Sequence, residues 1–151
     1  MSLLVAVLIT GAALWALTTA QRLNRLHTRT DSALAQLQSM LDRRAAVVYA
    51  LEEAPVVAAQ RAEGLMLRQG ELERRAALER ELSAHISARY DPLPRALVDA
   101  EVRIQFAHRF YNEAVADTRA LRLRPAVRAL RLGGTAPLPD FFEYSSLAGE
   151  A

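Results

Sequence analysis

The sequence predicts an all-α protein in which an N-terminal transmembrane helix continues into an antiparallel up-down bundle of three long helices, followed by a short C-terminal helix. The 151-residue chain opens with an uncharged apolar run, and the remainder is rich in Ala, Leu, Arg and Glu, which lose little freedom in a helix. No stretch alternates apolar and polar residues as a half-buried strand does. We therefore expect an anchor at 2–20, a bundle at 21–132 and an irregular tail at 133–151.

The anchor, SLLVAVLITGAALWALTTA, contains no charged side chain. As a helix it spans about 28 Å, close to the roughly 30 Å hydrocarbon thickness of a bilayer, and Trp15 suits the headgroup level. The alternative is a cleaved signal peptide, and hence a secreted helical protein. That alternative is disfavoured because no Lys or Arg precedes the run and Thr18-Thr19-Ala20 is a weak cleavage site.

The charge around the anchor predicts its orientation. Arg22, Arg25 and Arg29 follow it, and nothing basic precedes it except the terminal amine. Because cytoplasmic flanks carry the excess of Lys and Arg, we expect the N-terminus outside and the bundle in the cytoplasm.

Apolar residues at intervals of three, four or seven predict the first two long helices. The first runs from the anchor to about Glu53, where Pro55 ends or kinks it, and the second covers about 56–89. The expected core stripes are Leu23, Leu26, Thr30, Leu34, Leu37, Leu41, Val48 and Leu51 in the first helix, and Leu65, Leu72, Leu78, Leu82 and Ile86 in the second. The residues expected to pair along the exposed face of the second are Glu71, Arg75 and Glu79.

The remaining elements follow a turn at Tyr90–Pro94, which contains two prolines and an aspartate. We expect a third helix from about Pro94 to Leu123, a short helix to about Leu132, and a tail docked by Phe141-Phe142. Two neighbouring stripes are predicted to form the core face of the third helix: Leu97, Ile104, Tyr111, Val115 and Thr118, and beside them Val102, Phe106, Phe110, Ala114 and Leu121.

Short connections make consecutive helices antiparallel. This predicts that the Tyr90–Pro94 turn, with His27 and His85, lies at the membrane end. The Pro55 turn and the start of the tail are then expected at the far end.

Both ends of the chain carry patterns typical of one family. Residues 104–115, IQFAHRFYNEAV, are similar to an I-x-F-A-R-x-x-Y-N-x-A-V signature, and 22–26, RLNRL, begins a similar first helix. Leu132-Gly133, then Pro139 and Phe141-Phe142-Glu143, resemble the same family's ending. On these motifs the chain resembles the LemA family of membrane proteins, in particular its actinobacterial LemA-like group. The matched residues include Arg29, Arg43, Arg44, Phe106, Ala107, Tyr111, Asn112, Ala114, Val115, Phe141, Phe142 and Glu143.

The resemblance implies an anchored helical bundle of the bacterial inner membrane with a cytoplasmic C-terminus, and it supplies no biochemical role. It covers about half of the chain, and the segment from about 52 to 95 carries no match. Leu34 stands where the family has Trp, Thr28-Arg29 where it has Asn-Arg, and His108 where it has the Arg of F-A-R.

Candidate sites are few. We interpret Tyr111-Asn112 as a structural pair, since an Asn among apolar residues fixes helix register; ligand binding is the alternative. The three histidines lack metal-ligand spacing. A basic run without interleaved aromatic residues comprises Arg119, Arg122, Arg124, Arg128 and Arg131. We interpret it as a solvated face or partner contact, with nucleic acid, another anion or lipid headgroups as alternatives. Its expected position far from the membrane argues against headgroups.

The composition limits the chemistry. All 19 basic residues are arginine and there is no cysteine, so lysine and thiol nucleophiles are excluded. No catalytic, phosphate-cradling or metal-binding motif is present. We therefore expect no enzyme activity, no cofactor and no small-molecule substrate.

The function predicted from these observations is a membrane-anchored interaction or scaffold module. It would contact the lipid bilayer through residues 2–20, and a protein partner or a second copy through its helices. The alternative is a membrane-tethered anion or nucleic-acid binder that uses the C-terminal arginines.

Overall fold

The computed structural model describes residues 1–52 and 56–147, and all of the regular secondary structure in these ranges is helical. The predicted all-α class is therefore confirmed. The expected break at Pro55 and the last four residues of the tail lie outside the described residues. The helices are α1 (Ser2–Glu52), α2 (Val57–Glu63), α3 (Leu72–Arg89), α4 (Arg95–Arg122) and α5 (Pro125–Ala129).

Helix α1 is 51 residues long, about 77 Å at 1.5 Å per residue. Its apolar N-terminal part has a mean hydropathy of 2.1 over 18 residues, none of them buried. In the described part of the chain it is the one helix long and apolar enough to cross a membrane. Beyond it, six residues of the predicted stripe of α1 are buried: Leu23, Thr30, Leu34, Leu37, Leu41 and Val48. Leu26 is partly buried, and Leu51, also predicted for this stripe, is 41% exposed.

Helix α4 packs antiparallel on α1 and makes with it the most extensive helix pairing among the described residues. The Thr30 and Thr118 hydroxyls lie 3.0 Å apart near one end of the pair, and Arg44 reaches Glu101 at 3.3 Å nearer the other. The first predicted stripe of α4 is buried throughout. Three members of the second stripe are not, because no described element covers that side of α4: Val102, Phe106 and Phe110.

The predicted second helix is wrong as a continuous element. Helix α2 ends at Glu63 with Gly64 as its C-cap, and Gly70 has a φ of 88°, in the left-handed region that favours glycine. Between them the chain leaves the helical path, and the Leu67 N–H donates to Gln38 Oε1 at 3.0 Å. The chain therefore returns along α1 before α3 begins.

Because of this return, α3 runs parallel to α1, not antiparallel as expected. The side chains of Asp42 and Arg75 meet at 2.8 Å, and those of Glu52 and His85, each ten residues further along its helix, also meet at 2.8 Å. The Tyr90 hydroxyl donates to Glu52 at 3.3 Å. The Tyr90–Pro94 turn thus lies at the end of α1 remote from the apolar segment, which corrects its predicted position.

Helix α4 then leads back toward the apolar segment. Leu23, Leu121 and Val127 form a small buried cluster there, so α5 and the start of the tail lie at that end. The sequence prediction had placed the start of the tail at the opposite end. The tail then runs along α4 in an extended conformation. Residues 136–137 of the tail contact Arg122 at the C-terminal end of α4, and residue 147 contacts Glu101 nearer its N-terminal end.

Candidate functional site

The Tyr111-Asn112 pair holds the backbone of the tail. The buried Tyr111 hydroxyl donates to the Asp140 carbonyl at 2.6 Å. The Asn112 amide accepts from the Phe142 N–H at 3.0 Å and donates to the Phe142 carbonyl at 3.1 Å. Asn112 thus satisfies both backbone groups of one extended residue, which fixes the register of the tail on α4.

Neighbouring side chains complete this contact. His108 Nε2 lies 2.7 Å from the Phe142 carbonyl, so it is the donor there. Gln69 donates to the Tyr111 hydroxyl at 2.9 Å and accepts from the Asp140 N–H at 3.0 Å. Burial raises the pKa of Tyr111 above its ordinary value, so its phenol remains a donor at neutral pH. The ring of Phe142 is 1% exposed.

Two members of the basic run hold the start of the tail. Arg122 donates to the carbonyls of Ala136 at 2.6 Å and Pro137 at 2.7 Å, and Arg119 donates to the carbonyl of Pro139 at 2.9 Å. A Cβ atom at Gly133 would lie 2.9 Å from Arg122 Nε, so the absence of a side chain allows this approach.

A buried ionic network lies deeper in the fold. Glu79 of α3 accepts from Arg44 Nη2 at 2.6 Å on one carboxylate oxygen, and from Arg75 Nε at 2.7 Å on the other. Both arginine side chains are 0% exposed and that of Glu79 is 1% exposed. A carboxylate shared by two buried guanidinium groups is the geometry in which buried charges are tolerated.

The network extends to α4, to the tail and to the segment before α3. Arg44 also contacts Glu101 of α4, and it donates to the Tyr144 hydroxyl of the tail at 2.6 Å. Tyr144 in turn donates to Glu101 at 2.8 Å. Arg75 contacts Asp42 and donates to the Leu65 carbonyl in the segment before α3. One set of charges therefore joins α1, α3, α4 and the tail.

Burial and charge oppose each other at Arg44. Burial lowers its pKa, but the neighbouring Tyr144, Glu79 and Glu101 raise it by more, so the pKa stands above its ordinary value and the guanidinium stays charged. At Tyr144 burial acts in the other direction and raises the pKa of the phenol. The charge of Arg44 opposes this shift, and Glu101 reinforces it. The Tyr144 hydroxyl therefore keeps its proton.

Of this network, the sequence prediction singled out only Arg44. It had placed Arg75 and Glu79 on an exposed face, and the structure corrects this. The missed signal is one of spacing: Arg75 and Glu79 lie between the buried Leu72 and Leu82 at the same intervals of three and four that mark the core stripe. A charge at such a position points into the core. Glu101 lies between the buried Leu97 and Ile104 of α4 in the same way.

The remaining residues of the family pattern have varied environments. Ala107, Ala114 and Val115 are buried in the core. Arg43 and Glu143 are exposed. Arg29 forms an exposed ion pair with Asp117 at 2.9 Å. Phe141 is 49% exposed, unlike Phe142, and the guanidinium of Arg119 lies 5.7 Å from its ring centroid.

An apolar stripe on α4 faces outward. Val98, Val102, Phe106 and Phe110 follow one another at intervals of four, and their exposed fractions are 43%, 45%, 60% and 55%. At this spacing they form one ridge on the helix surface. Two phenylalanines this exposed in one ridge indicate a surface for contact.

The basic run lies at the apolar end of the protein, which corrects the prediction that it lies at the far end. Its arginines fall into two groups. Arg119 and Arg122 are engaged by the tail, whereas the other three side chains are exposed and have no hydrogen bond or ion pair with the residues that the structure describes: Arg124, Arg128 and Arg131.

The histidines do not converge. His85 of α3 meets Glu52 at the C-terminal end of α1, whereas His27 lies near the middle of α1, although the sequence prediction placed them together. His108 contacts the tail. Within residues 1–52 and 56–147, no three His, Asp or Glu side chains are grouped to hold a metal ion. A shallow pocket of about 260 Å³ between α3 and the tail has a mixed acidic and basic lining that includes Glu73, Arg80 and Glu143.

The shared carboxylate makes Glu79 far more important for stability than an exposed glutamate of the same helix. Removal of one partner from a buried ion pair leaves a charge unpaired and costs about 3–5 kcal/mol. We expect this loss for Glu79→Ala, measured by urea unfolding of the full chain in detergent micelles with circular dichroism. Glu81→Ala removes an exposed partner of Arg61, 3.3 Å away, and should cost less than about 1 kcal/mol. Equal losses would contradict the role of the network.

His27 should make stability depend on pH. Its Nε2 is buried without a hydrogen-bond partner among the described residues. Burial lowers its pKa below the ordinary 6.5, Arg122 lowers it further, and Asp31 opposes the shift. The unfolded chain therefore takes up this proton at a higher pH than the folded chain does, so acidification through 6.5 favours unfolding.

We expect wild type to lose more unfolding free energy than His27→Gln as the pH falls below 6.5, with a constant difference between them above it. Urea titrations across this range measure the effect. The same pH slope in both proteins would show that His27 is not responsible.

No protein-family model, curated protein or solved structure matches this chain.

Proposed function

We propose that this chain is a LemA-like, single-pass membrane protein whose helical body is a protein-interaction module. The observation that carries the proposal is the exposed stripe Val98, Val102, Phe106 and Phe110, because a soluble helix normally turns such residues inward. The stripe lies on the helix that packs most closely on α1. A partner bound there would therefore dock on a rigid surface.

Membrane anchoring is the first part of this proposal. Supporting it, the apolar segment is unburied and continues as α1 without a break past Ala20. A continuous helix favours an anchor over a cleaved leader. The length of α1 leaves more than thirty residues beyond the apolar run to present the other helices.

The buried network and the tail contacts support a structural reading of the family-like residues. Tyr111, Asn112 and Phe142 hold the tail on α4, and Arg44 joins three helices. These roles stabilise a scaffold without requiring a substrate. The family assignment and the bacterial inner membrane remain parts of the proposal.

Photo-crosslinking tests the interaction surface. A benzophenone amino acid at position 106 of the full chain, in its native membrane, should give a discrete crosslinked product, whereas the same group at the exposed position Arg80 of α3 should not. The substitution Phe110→Ser should abolish the product, and because it is a surface change it should alter stability by about 0.5 kcal/mol or less. A product of twice the chain's mass identifies a second copy, and another mass identifies a different protein. Equal products from positions 106 and 80, or a product unaffected by Phe110→Ser, would contradict the proposal.

A reporter fusion tests the orientation. Because Arg22, Arg25 and Arg29 follow the apolar run, the positive-inside rule places the carboxyl terminus in the cytoplasm. A C-terminal green fluorescent protein should be fluorescent, and a C-terminal alkaline phosphatase inactive. The opposite pair of results would reverse the orientation.

A further inference from the structure

The segment Leu123–Arg131, which follows α4 and contains α5, is called the corner here, and it lies beside the end of the apolar part of α1. Leu121 and Val127 are buried against Leu23, with Leu26 and Leu132 packed around them. This cluster places the corner one turn beyond the apolar run. Its position is a consequence of the return of α4 to this end, which the sequence prediction missed.

A cleft of about 350 Å³ separates the corner from α1. Arg22 and Arg25 line it from α1, and Arg124 lines it from the corner. Trp15 and Thr18, in the last turns of the apolar run, form its other side. Three arginines therefore line one cleft together with Trp15 and Thr18 from the edge of the apolar segment.

Five arginines near this end are available to bind a ligand. Arg119 and Arg122 are occupied by tail carbonyls, and Arg29 pairs with Asp117. The other cations have exposed side chains that make no ion pair or hydrogen bond within the described ranges: Arg22, Arg25, Arg124, Arg128 and Arg131. Unpaired arginines in a cluster are suited to phosphate oxygens, which they bind through paired N–H groups.

The corner also exposes apolar side chains. Leu123 is 50% exposed and Leu130 is 56% exposed. Arginines combined with exposed leucines in a short segment are typical of elements that lie in the membrane interface, with the leucines in the acyl boundary and the arginines among the headgroups.

We propose that the corner, together with Arg22 and Arg25, is a second membrane contact that binds the phosphate groups of anionic phospholipids. The inference rests on the membrane anchoring proposed above but not on the interaction surface of α4. A lipid is favoured over a nucleic acid because the cleft includes Trp15 of the apolar run, at the level where headgroups lie. Single-stranded nucleic acid would need stacking aromatic side chains interleaved with the arginines, and the corner contains none.

The experiment uses the full chain in vesicles. Because the chain has no cysteine, Leu130→Cys provides a single site for an environment-sensitive fluorophore. In phosphatidylcholine vesicles that contain phosphatidylglycerol, spin-labelled acyl chains should quench this fluorophore, and more strongly than in phosphatidylcholine alone. A fluorophore at Ser87→Cys, an exposed site on α3 near the remote end, should not be quenched.

Charge removal measures the contribution of the arginines. With Arg124, Arg128 and Arg131 changed to Gln, the ratio of bound to unbound corner should fall about fivefold for each arginine removed, because each contributes a similar factor at an anionic surface. The matched control changes three exposed arginines without partners among the described residues, Arg74, Arg95 and Arg103, to Gln. This control should leave the quenching unchanged.

Each other outcome would overturn the inference. Equal quenching in the two lipid mixtures, or an equal loss in both triple variants, would show that the corner does not select anionic headgroups. Loss of the phosphatidylglycerol effect on addition of inorganic phosphate at constant ionic strength would identify free phosphate as the ligand, and its loss on addition of single-stranded RNA would identify a nucleic acid. Failure of the chain to float with the vesicles would contradict membrane anchoring, and with it this inference. Crosslinking at position 106 would still test the interaction surface of α4 independently.

Discussion

Glu79 is the point at which the helical body is held together, because two buried guanidinium groups from different helices share its carboxylate. Neither arginine can be left unpaired in the interior without a cost of several kcal/mol. The fold must therefore bring α1 and α3 into a single register. Arg44 transmits the same requirement to α4 and the tail through Glu101 and Tyr144. A core of leucines alone would tolerate a shift of one helix along another, whereas this network would not.

The register set by these charges explains the direction of the chain. For Arg75 and Glu79 to meet Asp42 and Arg44, α3 must begin well below the end of α1. The chain therefore has to travel back along α1 first, and α2 with residues 64–71 provides that path. Helix α4 must then descend, which brings its arginine-rich end to the apolar segment.

The sequence predicted much of the fold from periodicity. The long first helix, the buried stripe of α1 and the bounds of α4 follow from the spacing of apolar residues. Periodicity did not reveal that the second helix is broken, because the spacing of apolar residues carries no information on Gly64, which caps α2, or on Gly70, which has a positive φ. This one error reversed the direction of α3 and the expected position of every later element.

The candidate surfaces were less predictable, for a different reason. Whether Phe106 and Phe110 are buried or exposed depends on how many other helices pack against α4. The spacing of apolar residues along α4 does not reveal how many there are. Arg119 and Arg124 belong to the same basic run, and the sequence pattern does not distinguish them. In the structure, Arg119 donates to a tail carbonyl, whereas Arg124 has no hydrogen bond within the described residues. Only tertiary structure separates them. Charged residues within a core stripe, such as Glu79, are the exception. Their intervals of three and seven from buried leucines are sufficient to predict that they are buried.

The two proposed surfaces are related through the geometry of α4. Phe110 lies eleven residues before Leu121 of the cluster beside the corner, and Val98 twenty-three residues before it, which correspond to about 17 Å and 35 Å along the helix. If the corner lies on the bilayer, the exposed stripe occupies this range of heights above it. A partner able to cover the stripe must then reach within this distance of the bilayer, as a second copy anchored beside the first would. Attachment at both α1 and the corner would limit tilting of α4, so the stripe would be presented at a fixed height and orientation. The lipid contact would thus lower the entropic cost of docking, since less freedom remains to be lost when the partner binds.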